Sequence, residues 1–197
     1  AKTGKLVTSF GDSGRVSLKS GLGENAKDKF VIASTPGTIY RNAIIMPLRL
    51  SESTGAAPGY IQSFDVIPGK LKWVFKTIPD PGEPGYETWD PKYIKKIGGA
   101  NNWAGMTVDY GRGLVCVPTG AATYDFWGGN RNGDNLYANS LLALDARTGK
   151  RIWHFQAVHH DVLDRDFPGN PNLIRIQKDG KWIDAVAQIS KQGYTYV

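Results

Sequence analysis

A turn built around Gly-Lys occurs three times in this sequence and limits the folds open to it. Gly4, Gly69 and Gly149 are roughly 65 and 80 residues apart, and each is followed by Lys. In every copy an aromatic residue lies six positions after the glycine, and the second and third copies also place Trp73 and Trp153 four positions after it. A fixed unit that recurs at such intervals indicates a repeat architecture.

Each copy of this unit predicts a β-hairpin. The apolar runs Ile61–Phe64 and Leu141–Leu144 precede the second and third turns, and aromatic alternation resumes after them. Asp and Gly at the turn, flanked by such runs, are typical of strand, tight turn and strand. The first copy, Ala1–Phe10, is expected to form the same unit. The spacing suits four-stranded propeller blades with long loops, with a β-sandwich containing similar turns as the alternative.

Composition agrees with an all-β fold. The chain has 41% hydrophobic residues, enough for a core, together with 24 Gly and 11 Pro, and no stretch of a dozen residues has clear helical periodicity. We therefore expect residues 1–197 to form one partial β-propeller domain. The sequence covers about three to four blades, and because a closed propeller normally needs more, we expect a fragment of a longer protein.

Charge and cysteine content narrow the functions further. The formal net charge of +6 favours an anionic partner, but the basic residues form no run and no nucleic-acid-binding motif is present, so nucleic acid is not expected. The single cysteine, Cys116, lies within Leu114–Val117 and is predicted to be a buried thiol. No window of about 18 apolar residues occurs, so no membrane span is predicted.

Two long inserts are candidates for a functional pocket. They run from Ile78 to Trp103 and from Thr119 to Asn139. The first is rich in Pro and Gly, and both carry aromatic residues. Long irregular loops with these features more often bind a ligand than merely connect strands.

Four stretches together resemble one family of enzymes. They are Gly98–Trp103, Leu114–Gly120, Tyr124–Arg131 and Val158–Asp166. With the Thr-Gly-Lys turns, they resemble the quinoprotein dehydrogenases that depend on pyrroloquinoline quinone (PQQ), in particular the branch acting on glucose, quinate and related sugars.

The resemblance implies an eight-bladed propeller enzyme, about half of it or less present here. Such an enzyme oxidises an alcohol or sugar hydroxyl by hydride transfer to PQQ, with Ca²⁺ or Mg²⁺ as Lewis acid. It also implies a quinone or cytochrome as electron acceptor and a periplasmic location.

The same resemblance implies roles for the platform and the base. Trp103 matches an indole that lies flat beneath the quinone, and Asn101 matches a PQQ-contacting side chain. Asp164 matches the catalytic base that takes the hydroxyl proton, and it is also a candidate metal ligand. From the residues alone, Trp103 would more often belong to a core. Asp161, Asp164 and Asp166 would more often be turn-forming residues of a solvated loop.

Further site residues come from the resemblance too. Lys191 matches the cation that contacts the quinone oxygens, although a surface lysine is the ordinary alternative. Glu52 is suited to a hard divalent cation, with an ordinary surface glutamate as the alternative. Ser51 and Thr35 are candidate hydroxyl donors to the cofactor. His159 and His160 are expected to shape the site, on a strand that points them to opposite faces.

One departure from the pattern concerns the metal. Methanol-type members carry a metal-ligating Asn after the Thr-Gly pair, whereas this chain has Ala121 after Gly120. The cation would then depend on PQQ, Asp164, Glu52 or water. A non-catalytic propeller built from PQQ-like repeats, acting as an assembly scaffold, is the alternative function, and it would need only the hairpins.

Overall fold

The computed structural model describes residues 3–197, and Ala1 and Lys2 lie outside the described residues. Within that range the fold is all-β, with thirteen short strands in antiparallel pairs and three 3-10 helices of three residues each. None of these helices is long and apolar enough to cross a membrane. The strands are β1 (Val31–Ile32), β2 (Thr38–Tyr40), β3 (Ala43–Met46), β4 (Arg49–Leu50), β5 (Ile61–Asp65), β6 (Leu71–Phe75), β7 (Thr107–Asp109), β8 (Leu114–Pro118), β9 (Ser140–Asp145), β10 (Arg151–Gln156), β11 (Asn172–Lys178), β12 (Lys181–Ile189) and β13 (Thr195–Tyr196).

The strands form four sheets. Two have four strands each, in the orders β2-β3-β5-β6 and β7-β8-β9-β10. A third sheet has the order β11-β12-β13, and β1 pairs with β4 in a small two-stranded sheet. Neighbours in the three larger sheets follow one another along the chain, apart from the short β4, as expected for propeller blades.

The second and third Gly-Lys turns join β5 to β6 and β9 to β10, which confirms two of the predicted hairpins. Gly69 and Gly149 have φ values of +71° and +73°, a conformation that glycine adopts without strain. The amide of Gly69 donates to the carbonyl of Asp65 at 3.0 Å, and the amide of Gly149 donates to that of Asp145 at 2.8 Å. Local turn chemistry is therefore sufficient to place these hairpins.

The first copy does not form the expected hairpin within the described residues. Thr3–Phe10 contains no strand, and Ala1 and Lys2 are outside the description. The segment is held to the second turn instead, because the Gly11 amide donates to the carbonyl of Pro68 at 2.9 Å.

The sheets stack face to face and share their cores. Val115 and Val117 of β8 pack with Ile45 and Trp73 of the first four-stranded sheet, whereas Cys116 packs with Phe167 on the side of the third sheet. This alternation is the period of two of a strand buried on both faces. Burial raises the pKa of Cys116 to about 11, which agrees with the predicted structural thiol.

A tryptophan links the two four-stranded sheets. Trp73 is 8% exposed, and its indole Nε1 donates to the carbonyl of Ala146 at 3.3 Å. A Cβ atom at Gly149 would lie 2.5 Å from the Trp73 ring, so the ring rests directly on the turn of the next sheet. The geometry of the Gly149 turn and the position of Trp73 thus depend on each other across the two sheets.

We expect Trp73→Ala to lower the free energy of unfolding by about 3–5 kcal/mol, because it removes a buried ring and leaves a cavity between sheets. The matched control is Ile67→Ala in the same hairpin, where the side chain is 75% exposed and a change within about 0.5 kcal/mol is expected. Urea unfolding of both variants measures this. Equal midpoints for Trp73→Ala and the unsubstituted protein would contradict the interpretation.

Trp153, the equivalent tryptophan of the third copy, has no such buried packing site among the described residues. Trp153 is 36% exposed and Phe155 is 44% exposed. Both line a groove of about 920 Å³ between β7-β8-β9-β10 and the third sheet. β13 is hydrogen-bonded on one side only, to β12, so its outer edge is free within residues 3–197.

The two long inserts are irregular, as expected, but the first has a small core of its own. It contains two 3-10 helices, Tyr86–Thr88 and Ile94–Lys96, although its Pro and Gly content predicted no regular structure. Trp89 is 3% exposed and donates from Nε1 to the carbonyl of Leu136 in the second insert. The inserts therefore support each other.

Candidate functional site

A cavity of about 220 Å³ opens where the loops of several sheets converge. It lies apart from the larger groove between the sheets. Six of the seven side chains that the sequence proposed for a site line this cavity: Ser51, Glu52, Asn101, Trp103, Asp164 and Lys191.

The loop that carries Trp103 is fixed by its neighbour Asn102. The side-chain amide of Asn102, 1% exposed, donates to the carbonyls of Gly105 and Pro118 at 2.6 and 2.7 Å. The Leu48 amide donates to the carbonyl of Asn102 at 2.7 Å. Buried amides that are bonded in this way hold a loop in one geometry, so the indole of Trp103 is presented at a fixed height in the cavity.

Four side chains form a continuous chain of contacts. The Trp103 indole Nε1 donates to Asp166 Oδ2 at 2.9 Å. Lys191 Nζ contacts Asp164 Oδ2 at 2.7 Å and Asp166 Oδ2 at 3.1 Å, and it lies 5.6 Å from the centroid of the Trp103 ring. An indole face, two carboxylates and an ammonium group therefore converge on one space.

Asp166 organises this chain of contacts. It is 6% exposed, and its Oδ1 accepts a hydrogen bond from the Ala121 amide at 2.7 Å. A Cβ atom at Gly120 would lie 2.5 Å from the same oxygen, so glycine leaves the space that the carboxylate needs. Sequence reasoning grouped Asp166 with turn residues and missed this role. Its only signal was its place two residues after Asp164, beside the apolar Phe167.

The carboxyl group of Asp164 and the ammonium group of Lys191 each shift the pKa of the other. Partial burial raises the pKa of Asp164, while its hydrogen bond to Lys191 acts in the opposite direction. Burial tends to lower the pKa of Lys191, but its hydrogen bond to Asp164 and the charge of Asp166 outweigh the burial and raise that pKa. The lysine is therefore kept cationic, and the aspartate holds a proton more readily than a solvated one.

A further carboxyl group lines the cavity that the sequence did not single out. Asp125 is 5% exposed, and burial, followed by the charges of Asp164, Asp166 and Glu52, raises its pKa to about 7. Its only sequence signal was its place between two aromatic residues of the second insert.

The loop around Asp125 is tied down by a buried arginine. Arg131 is 1% exposed, and its guanidinium donates to the carbonyls of Tyr124 and Asp161 and to Asn135 Oδ1. Burial lowers the pKa of Arg131. The loops that carry Asp125 and Asp164 are thus joined by one side chain.

The remaining proposed residues divide into those inside the cavity and one outside it. Asn101 donates from Nδ2 to the carbonyl of Leu48 at 2.6 Å, and Ser51 Oγ accepts from the Ser53 amide at 3.1 Å. Glu52 is exposed at the rim. Thr35 does not line the cavity. Its hydroxyl donates to the carbonyl of Trp103 at 2.8 Å and so supports the platform from behind.

The histidines and the acidic loop differ from expectation. His159 and His160 lie in a bend and not on a strand, because His160 has φ of +46°, and neither lines the cavity. The solvated-loop interpretation is wrong for Asp161 and Asp166, which are both buried. Asp161 does form turns, accepting from the amides of Leu163 and Arg165.

Apart from Trp103, which lines the cavity, the aromatic residues of the inserts also differ from expectation. Phe126 and Trp127 are 60% and 56% exposed, but they do not line the cavity, and Trp89 is part of the first insert's own core. The second insert contributes to the cavity through Asp125 and Thr123.

Comparison with known proteins identifies the family. The family model of the PQQ glucose/ethanol/alcohol dehydrogenase β-propeller domain matches residues 1–197. The chain belongs to this family of PQQ-dependent dehydrogenases. The family resemblance and the partial propeller fold predicted from the sequence are thereby confirmed.

Similar proteins agree with this assignment. Quinate/shikimate dehydrogenase (quinone) of Acinetobacter baylyi is 40% identical over 100% of this chain and 24% of its own length, and quinoprotein glucose dehydrogenase A of Acinetobacter calcoaceticus is 36% identical over 100% and 25%. The crystal structure of quinohemoprotein alcohol dehydrogenase from Comamonas testosteroni superposes with a TM-score of 0.76 at 27% identity, covering 86% of this chain and 27% of that one. The chain spans about a quarter of the length of the relatives it matches.

The cavity fits the organic cofactor of the PQQ-dependent dehydrogenases. PQQ is a planar polycarboxylate, and the cavity offers an indole face for stacking with Lys191 and Arg49 on its walls. Asn101 and Ser51 add polar groups. Trp103 would hold the ring system, and the basic groups would hold its oxygens.

The fit to a divalent cation is incomplete. Glu52 and Asp164 both line the cavity, so two carboxylates are available. However, no three His, Cys, Asp or Glu side chains of residues 3–197 are grouped so that they could hold a metal ion. Ala121 has no side chain that could bind a metal ion, and the carboxylate of Asp164 is already paired with the ammonium group of Lys191.

Proposed function

We propose that the protein oxidises a hydroxyl group of an alcohol or sugar by hydride transfer to PQQ, with a divalent cation, Ca²⁺ or Mg²⁺, assisting. The observation that supports this best is the convergence of Trp103, Asp164 and Lys191 on one cavity in a member of the PQQ-dependent dehydrogenases. Bound PQQ supplies the hydride acceptor. A repeat scaffold without catalysis would need the hairpins but not this convergence.

The chain's own residues would perform the proton chemistry. Asp164, held against Lys191 at 2.7 Å, would accept the substrate hydroxyl proton on Oδ2. Its raised pKa suits a group that must take up a proton and later release it. Lys191 would place its positive charge beside the developing negative charge on the acceptor oxygens.

The platform and its support would fix the geometry. Trp103 would stack against the planar cofactor, and its Nε1 hydrogen bond to Asp166 would set the tilt of the indole. Glu52 and Asp164 are the proposed cation ligands. We further propose a quinone or cytochrome as electron acceptor, a periplasmic location and no nucleic-acid partner.

The platform role predicts a loss of cofactor affinity. Trp103→Ala in the holoenzyme that contains this chain should weaken PQQ binding about 10- to 100-fold, since stacking of a planar heterocycle on an aromatic ring contributes about 1–3 kcal/mol. Trp182→Ala is the matched control, because this indole is 63% exposed on β12, outside the cavity. Titration of the apoenzyme with PQQ, followed by a dye-linked assay on aldoses, polyols and alcohols, measures both binding and turnover. Equal PQQ affinity in both variants would count against the platform, and failure of the reconstituted protein to oxidise any hydroxyl substrate would overturn the proposed function.

A further inference from the structure

Asp125 is a buried acid without a partner. It is 5% exposed and lines the cavity together with Trp103, Asp164 and Lys191. None of the hydrogen bonds formed among residues 3–197 involves its carboxyl group. Most buried polar side chains are hydrogen-bonded, and leaving one unpaired lowers stability. A group in this state at a cavity wall indicates a ligand that completes its bonding.

The two other buried acids nearby show what a structural carboxylate looks like in this fold. Asp161 accepts hydrogen bonds from Asn139 and from the amides of Leu163 and Arg165. Asp166 accepts from Trp103, the Ala121 amide and Lys191. Both carboxylates connect loops through these hydrogen bonds, whereas the carboxyl group of Asp125 makes no hydrogen bond within residues 3–197.

A mobile loop does not explain why the carboxyl group of Asp125 has no hydrogen-bond partner. Arg131 donates to the carbonyl of Tyr124, the residue before Asp125, at 3.2 Å, and the same guanidinium contacts the carbonyl of Asp161. The backbone on either side of the cavity is therefore joined. The carboxyl group of Asp125 is held in position toward the cavity that contains the proposed base.

The surroundings select the kind of group that Asp125 would bind. The negative charges of Asp164, Asp166 and Glu52 act on Asp125, so a carboxylate or phosphate of a ligand would be repelled at Asp125 itself, whereas the carboxylates of PQQ would be held by Lys191 and Arg49. A neutral hydroxyl is not repelled, and it both donates to and accepts from a carboxyl group. With a pKa raised by burial to about 7, Asp125 offers both forms near neutral pH.

We propose that Asp125 binds a second hydroxyl group of the substrate, next to the one that is oxidised, and so selects polyhydroxylated substrates over analogues that lack that hydroxyl. This inference rests on the proposed function. Asp125 is then a specificity-determining residue, distinct from the base Asp164. A site that pairs a buried polar group with a substrate hydroxyl rejects the analogue lacking it, because the buried group then stays unpaired.

The test compares substrates within one holoenzyme. The unsubstituted enzyme, Asp125→Asn and Asp125→Leu are assayed with an oxidised polyol or aldose and with its series of single-deoxy analogues. For one analogue, the unsubstituted enzyme should show a kcat/KM at least about 100-fold below that of the parent compound. In Asp125→Leu this ratio should approach one, through loss of activity on the parent compound alone. Asp134→Asn is the matched control, since Asp134 is exposed in the same insert and its side chain makes no hydrogen bond within residues 3–197.

The outcomes separate this inference from the proposed function. Turnover with selectivity unchanged in both Asp125 variants would overturn the inference and leave the proposed function standing, as would an equal loss on all substrates. PQQ affinity and the thermal midpoint are measured on the same samples. A lower midpoint for Asp125→Asn would assign Asp125 a structural role and also overturn the inference. If the unsubstituted holoenzyme oxidises no hydroxyl compound, both proposals fail together.

Discussion

Asp164→Asn should lower turnover about 10²- to 10⁴-fold while PQQ stays bound, the range that a general base contributes to catalysis. The amide cannot accept the hydroxyl proton, whereas Trp103 keeps its hydrogen bond to Asp166 and Lys191 keeps its second ion pair, at 3.1 Å. Asparagine is the right replacement because Asp164 has φ of +54°, a left-handed conformation that Asn tolerates and Ala does not.

The control for this substitution is Asp179→Asn. Asp179 has nearly the same backbone conformation, with φ of +52°, but it is exposed in the turn between β11 and β12. We expect it to leave turnover and PQQ affinity unchanged. Single-turnover reduction of the bound cofactor by substrate measures the chemical step. Rapid reduction in Asp164→Asn would remove Asp164 from the role of base.

Asp166→Ala should damage both stability and cofactor binding. It removes an acceptor shared by the Trp103 indole, the Ala121 amide and the ammonium of Lys191, and loss of hydrogen bonds to a buried charged acceptor costs about 1.5–3 kcal/mol. We expect the urea midpoint to fall and PQQ affinity to fall with it, because the indole is no longer fixed.

The conservative variant separates position from mere folding. Asp166→Asn keeps an oxygen that can accept from Trp103 or Ala121, but it lacks the charge that attracts Lys191. Its stability should lie between the other two proteins, with PQQ affinity largely restored. Should Asp166→Ala bind PQQ as tightly as the unsubstituted enzyme, Asp166 would be no positioning residue.

Local sequence chemistry predicted much of the fold. The hairpins at Gly69 and Gly149 depend on a glycine with positive φ and on an aspartate within the same few residues, so they are readable without tertiary information. The first copy shares the Gly-Lys pair, yet no strand forms within Thr3–Phe10. The contact between Trp73 and Gly149 joins residues far apart in sequence, and it forms only when the two sheets stack.

The site was predicted where residues match a family pattern and missed where burial decides. Trp103 and Asp164 lie in recognisable stretches, Lys191 matches a single position of the family pattern, and the three meet in one cavity. Asp125 and Asp166 gave no comparable signal, because their importance comes from what surrounds them. Asp166 accepts hydrogen bonds from three donors and Asp125 from none within residues 3–197, and neither number can be predicted from the sequence.

The partial exposure of Trp153 has a consequence for the motion of the sheets. Trp73 joins the first four-stranded sheet to the second through a buried indole, whereas the second sheet contacts β11-β12-β13 through the smaller cluster of Cys116, Leu141 and Phe167 and the ion pair of Arg112 with Asp184. The cavity spans this boundary, because Asp164 and Lys191 lie on the less secured side and Trp103 on the other. Within residues 3–197, amide hydrogen exchange should therefore reveal sub-global opening at β12 and β13, while β5, β6, β8 and β9 stay protected. The cavity could then open transiently without unfolding of the two four-stranded sheets.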